Sequence, residues 1–215
     1  MSTTITDFKH QYVASSGTGY TMTNAVQVDD VIAVFVGKHA SAVNDSVADD
    51  LGNTYSLVDS VNLGGSTGNI CLLATQVTTG HTGTPTITMT SGGGSDHGMD
   101  IFVLRGLSSA TADDSGGNTG TGNPLTVSLN PSVTCSLITY YLNEGGDDFT
   151  SWTTGLSPQN EDTGHADASG YQLDVAAGSY TPGCNNTGSP GNMVLVAYFP
   201  VAGGGGSTSC AWLSA

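Results

Sequence analysis

The sequence predicts an all-β fold, a two-sheet antiparallel β-sandwich, and three observations carry that expectation. Helical periodicity is missing: no stretch sets apolar side chains at i, i+3, i+4 and i+7 with helix formers between them. Short runs of β-branched and aromatic residues recur instead, divided by clusters of Gly, Asn, Asp and Pro. Some runs alternate apolar with polar, and others are apolar throughout, as strands with one or both faces covered would be.

In chain order, strands are expected over 6–13, 20–27, 31–39, 54–62, 69–77, 84–90, 98–105, 125–129, 133–142, 169–175 and 192–201. The stretch "VIAVFVG" in the third and "NMVLVAYFPVA" in the last are continuously apolar and read as central strands. "TPTITMT" alternates, with Ile87 and Met89 on one face and Thr86, Thr88 and Thr90 on the other. "DLGNTY" and "NEGGDD" supply residues that tolerate positive φ, as tight strand connections need. Segments 107–124 and 143–168 are poor in bulky apolar residues and read as long exposed loops, the second interrupted by Trp152. The domain expected from this pattern is one sandwich over 1–202, followed by a Gly-rich tail over 203–215. That tail reads either as a tether ending in an apolar plug, Trp212 and Leu213, or as a disordered terminus.

Charge excludes several partners. Eighteen acidic residues stand against three basic ones, Lys9, Lys38 and Arg105, so no basic patch can form. Without one, phosphate neutralisation is missing, and nucleic acid and anionic membrane are excluded as direct partners. No apolar run approaches the roughly 18 residues that span a bilayer. "MSTTITDFKHQYV" has neither a basic nor an apolar leader region, so synthesis in a cytoplasm without a signal peptide is expected. Cys71 and Cys135 fall in apolar runs and read as buried small hydrophobes. Cys184 and Cys210 fall in loop or tail sequence, where they could pair in an oxidising setting.

His10, His39, His81, His97 and His165 are scattered and lie in no hydrolase or metalloprotease motif, so no catalytic set is read and the chain is expected not to be an enzyme. No cofactor is read beyond a structural calcium, for which Asp45, Asp49 and Asp50 are the candidate ligands; solvated carboxylates capping Asx turns are the plainer reading. Trp152 beside Asp147 and Asp148 has the setting of a sugar-stacking ring with hydrogen-bonding neighbours, against the plainer reading of a plug at the core's edge. Arg105, the one arginine, ends an apolar run before Gly106 and is expected to clamp the following loop through Asp113 and Asp114. Sheet edges with almost no lysine to blunt them point to cover by further copies of the chain or by a larger particle.

The segments "VDDVIAVFVG", "SVADDLGNTYSLVDS", "GNICLLATQVTTGHTGTPTITMT", "MDIFVLRGLSSATADDSGG" and "GYQLDVAAGSYTPG" with "MVLVAYFPV" follow one another over nearly all of residues 5–202. In that order the chain resembles jelly-roll-like β-sandwich proteins of tailed bacteriophage virions, of capsid decoration or fibre type, and related bacterial surface domains. The resemblance implies a structural virion protein, most simply a capsid decoration protein. Its partner would be the major capsid protein or another virion protein, and its place the virion surface after synthesis in the host cytoplasm. The alternative it leaves open is a carbohydrate-binding or adhesion module with a glycan partner. No catalytic residues are carried over, and the near absence of basic residues departs from the group.

Overall fold

The computed structural model describes residues 2–13, 19–38, 45–64, 68–90, 97–143, 148–162, 166–188 and 190–203. In the first half the strands are β1 (Thr4–Val13), β2 (Gly19–Thr21), β3 (Val31–Lys38), β4 (Ser46–Asp49), β5 (Ser56–Asn62), β6 (Asn69–Gln76), β7 (Thr86–Thr90) and β8 (His97–Arg105). The second half has β9 (Asp114–Gly120), β10 (Leu125–Thr126), β11 (Cys135–Asn143), β12 (Phe149–Trp152), β13 (Ser157–Asp162), β14 (Asp167–Val175), β15 (Gly183–Asn186) and β16 (Asn192–Pro200).

Strand order repeats between the halves. The larger sheet of the first runs β1-β8-β3-β6-β5 and the smaller β2-β7-β4; the second runs β9-β16-β11-β14-β13 and β10-β15-β12. Adding eight to each strand number of the first half gives the second. All the pairings are antiparallel. The described residues are therefore all-β, with two antiparallel sheets in each half, four among them where the sequence suggested two.

Burial explains the doubling. Every residue of β3, β11 and nearly all of β16 is buried, which requires cover on both faces of the larger sheets. Val31, Ala33 and Phe35 of β3 meet Ile138, Tyr140, Leu142, Leu195 and Phe199 in a core shared by the two larger sheets. The residues between them, Ile32, Val34 and Val36, pack with Met22, Val47, Ile87 and Met89 under the first small sheet. Leu137, Tyr141, Val194 and Val196 do the same with Leu125, Phe149, Trp152 and Cys184 under the second. The layers are thus small, large, large, small. Ile87 and Met89 are fully buried while Thr90 is exposed, as the alternation predicted.

The stretches expected to be long loops contain strands. β9 lies within 107–124 and pairs with β16 from Tyr198↔Asp114 to Asn192↔Gly120. β12 and β13 lie within 143–168. β9 (DSGGNTG) and β13 (SPQNED) have little strand propensity and are strands because β16 and β14 offer them a hydrogen-bonding edge, whereas β12 (FTSW) has strand-favouring residues and buries Phe149 and Trp152. Cys184, expected in a loop, is buried on β15, the middle strand of its sheet. Burial pushes its thiol up to about 12. Cys210, Trp212 and Leu213 fall outside the described residues.

Candidate functional site

The two larger sheets stack so that edge strand β1 lies against edge strand β13, and a cluster of ionisable side chains sits between them. His10 on β1 stands directly opposite Asp100 on β8 in the first sheet. Asp162 on β13 stands directly opposite Asp167 on β14 in the second. Cross-strand neighbours in these registers point to the same face, here the face between the sheets. His10 Nδ1 is 2.6 Å from Asp100 Oδ1, Nε2 is 3.1 Å from Asp162 Oδ2, and Nδ1 is 3.9 Å from Asp167 Oδ1. Tyr140 of β11 donates its hydroxyl to Asp167 Oδ2 at 2.8 Å.

Two glycines make room for the cluster. A Cβ on Gly37 would lie 2.6 Å from the Tyr140 ring, and one on Gly98 would overlap the Tyr140 hydroxyl and Asp167 Oδ2. Gly37 and Gly98 face each other across β3 and β8. Their missing side chains form the floor on which Tyr140 and Asp167 rest.

The electrostatics are those of carboxylates kept from water. Burial lowers the His10 pKa, but the Asp100 hydrogen bond and charge, then Asp167 and Asp162, outweigh it and raise the imidazole to about 9. Burial raises Asp100, against the pull of His10. Burial and then the charge of Asp100 push Asp167 up to about 7. Burial, with Asp167 beside it, also holds the Tyr140 hydroxyl well above its usual value. Asp100 Oδ2 and Asp167 Oδ1 are buried without a hydrogen-bond partner, and the Ser169 hydroxyl near Asp100 makes no bond of normal length. Carboxylates face both ring nitrogens of His10, so the ring is held between acids. His10, Asp162 and Asp167 each bring one ligand atom within 4.8 Å of the others, a spacing that a metal ion could bridge.

The residues expected from sequence lie elsewhere and apart. Asp45 pairs with buried Lys38 at 2.8 Å. Asp49 accepts from the backbone of Leu51 and Asn53, the Asn53 amide and the Tyr55 hydroxyl. Asp50 accepts from the Thr86 backbone. The three carboxylates accept from different parts of the chain, and they do not form a cluster of ligand atoms within 4.8 Å of one another among the described residues. Trp152 is a core residue: its ring meets Phe149 edge-on at 5.0 Å and covers Gly170, where a Cβ would lie 2.9 Å from Nε1. Asp148 accepts from the Thr187 backbone and hydroxyl, and Asp147 lies outside the described residues.

Arg105 is an ion-pair clamp, but with a different partner. Its Nε and Nη2 donate to Asp30 Oδ1 and Oδ2, both at 2.8 Å, and Asp30 also accepts from the Gln27 backbone. The clamped segment is thus the turn before β3, not the loop after β8. Asp113 instead caps Ser132, and Asp114 accepts from the Asn130 backbone.

Sequence reasoning missed the roles of Asp100, Tyr140 and Asp167, and saw Asp162 only as half of an acidic pair, Glu161-Asp162, in a predicted loop. Asp100 left a signal, a carboxylate inside the apolar run "MDIFVLR". Asp162 and Asp167 fell in a segment read as loop, so nothing placed them beside His10. Compared with protein-family models, with curated proteins and with solved structures, the chain matches none.

Proposed function

We propose that the chain is a non-enzymatic structural protein of a phage-like virion, a capsid decoration protein, and that each half is a jelly roll. The jelly-roll reading is supported by strand order: first beside eighth, eighth beside third, third beside sixth, with second, seventh and fourth in the facing sheet; the fifth strand departs from it by lying on the larger sheet beside the sixth. The same order in both halves is the observation that carries the proposal, because eight-stranded sandwiches of this kind recur in viral shells. Two of them stacked through a shared core give a stiff, four-layer body suited to a mechanical role. Its few cations are largely committed within the chain, Lys38 to Asp45 and Arg105 to Asp30, so the outer surface is dominated by acids and hydroxyls. The partner we propose is a major capsid protein or another virion protein presenting complementary basic or neutral surface.

The test is composition of particles. Phage-like particles purified from cells that produce the chain should contain it in fixed ratio to the major capsid protein by quantitative mass spectrometry, and should lose it when its gene is deleted. Particles without the chain, or saturable glycan-array binding by the free protein, would replace this reading with the adhesion alternative. That alternative no longer has Trp152 as its platform, since the ring is enclosed.

A further inference from the structure

The two larger sheets face each other with their edges exchanged. β1 meets β13 through His10 and Asp162, and β5 meets β9 where a Cβ on Gly117 would lie 2.5 Å from that of Val61. The registers allow the two edges to be compared position by position. Phe35 and Tyr140, stacked 5.5 Å apart in the shared core, hold corresponding places on β3 and β11. The row through Phe35 reaches Asp100 and then His10; the row through Tyr140 reaches Leu195 and then Gly117. Two residues on, the row through Gly37 reaches Ile70 and then Val61, and the row through Leu142 reaches Asp167 and then Asp162. The Val61–Gly117 contact is therefore the counterpart of Asp162–His10.

One architecture thus closes one edge with Gly117, Leu195, Val61 and Ile70 and builds the other from His10, Asp100, Asp162 and Asp167. The apolar edge demonstrates that the fold can close without charge. Burying carboxylates costs several kcal/mol each, on the order given by ion desolvation, unless partners satisfy them. Here Asp100 and Asp167 are fully buried, and each keeps an oxygen with no partner. Packing gives no reason for the substitution of acids at this edge, and a bound cation does.

We propose that His10, Asp162 and Asp167 bind one divalent metal ion of the zinc class at the β1–β13 edge. One nitrogen and two carboxylate oxygens form a mixed donor set suited to zinc, whereas calcium takes about six to eight oxygens. His10 Nε2 and Asp162 Oδ2, 3.1 Å apart, already have the separation expected of two ligands that each lie about 2.0–2.2 Å from one ion. Asp100 holds Nδ1 of the same ring at 2.6 Å, the outer carboxylate that fixes the orientation of a metal-binding imidazole. Tyr140 engages Asp167 Oδ2 and leaves Oδ1 for the ion. His10 and Asp162 retain 18% and 25% side-chain exposure, so the ion enters from the rim and water completes its shell. Bound there, the metal ties the first half of the chain to the second.

The experiment is a zinc titration of the chelator-treated full chain by calorimetry, with melting temperature as a second readout. One zinc per chain should bind saturably and raise the melting temperature, with calcium far weaker. Asp162→Asn and His10→Gln should each weaken zinc binding by at least about 100-fold, the loss of a direct ligand costing no less than the upper end of the roughly 10–100-fold typical of an outer partner. Asp59→Asn, an acid on β5 at the other edge, should leave it unchanged. Absence of saturable binding, or equal affinity in wild type and Asp162→Asn, would overturn the site. Asp162 is partly exposed on an edge strand, so its variant keeps the test decisive even where His10→Gln fails to fold.

Discussion

Arg105 and His10 illustrate how a scarce cation is used in an acidic chain. Arg105 is 41% exposed, but its Asp30 partner is 1% exposed, and two parallel bonds fix the turn that delivers the chain into β3. Asp29 in that turn has φ 70, a left-handed conformation uncommon outside glycine but one that Asp adopts more readily than most residues. Arg105→Lys keeps the charge and loses the fork, and should cost about 1 kcal/mol in urea unfolding. His10 is the reverse case, a ring among acids. Its pKa rises from 6.5 to about 9 on folding, so its contribution is complete below pH 6.5 and is lost as pH rises through 9. Asp167, raised to about 7, acts in the same sense at lower pH, stabilising when protonated and losing that contribution as pH rises from 3.8. With chelator present, the melting temperature should therefore fall between pH 6.5 and 9. In His10→Gln the fall over that window should largely disappear; an unchanged slope would show that the imidazole is not the titrating group.

At the scale of elements, apolar pattern and neighbouring edges divide the work. Each of the eleven runs expected from sequence overlaps a strand, though 20–27 and 125–129 are strand only at 20–21 and 125–126; the central ones, β3, β6, β8, β11 and β16, are the runs whose apolar side chains are buried. β4, β9, β12, β13 and β15 were not legible. β9, "DSGGNTG", has no bulky side chain, and its pairing is imposed by β16 rather than stated by its own residues. β15, "GCNN", is only four residues long and is held from both sides by β10 and β12. The site was unreadable for the same reason: Asp162 belongs to β13, and without that strand there was no second edge to bring against His10. Trp152 on β12 was readable as a core-edge plug, the role it fills. Trp152→Ala should destabilise the protein by about 3–5 kcal/mol through the cavity it leaves against Phe149 and Gly170. A chemical denaturation midpoint close to wild type would place the ring outside the core.

At the scale of the whole molecule, the chain repeats an arrangement of strands without repeating their side chains. The repeat escaped the sequence because corresponding places hold residues as different as His10 and Gly117, or Asp100 and Leu195. What the halves have in common is which positions face inward and which strand neighbours which. This makes the polar edge separable from the fold, and one replacement tests that claim directly. His10→Gly, Asp100→Leu, Asp162→Val and Asp167→Ile install at the β1–β13 edge the residues that already close the β5–β9 edge, and Tyr140→Phe gives Tyr140 the ring of its counterpart Phe35. Measured by thermal melting in chelator, the fivefold variant should fold and melt at or above the wild-type temperature, since replacing buried charges with apolar groups is often neutral or stabilising by about 1–4 kcal/mol. A variant that fails to fold, or melts well below wild type, would contradict the account by showing that the acids and the imidazole are part of what holds the sheets together.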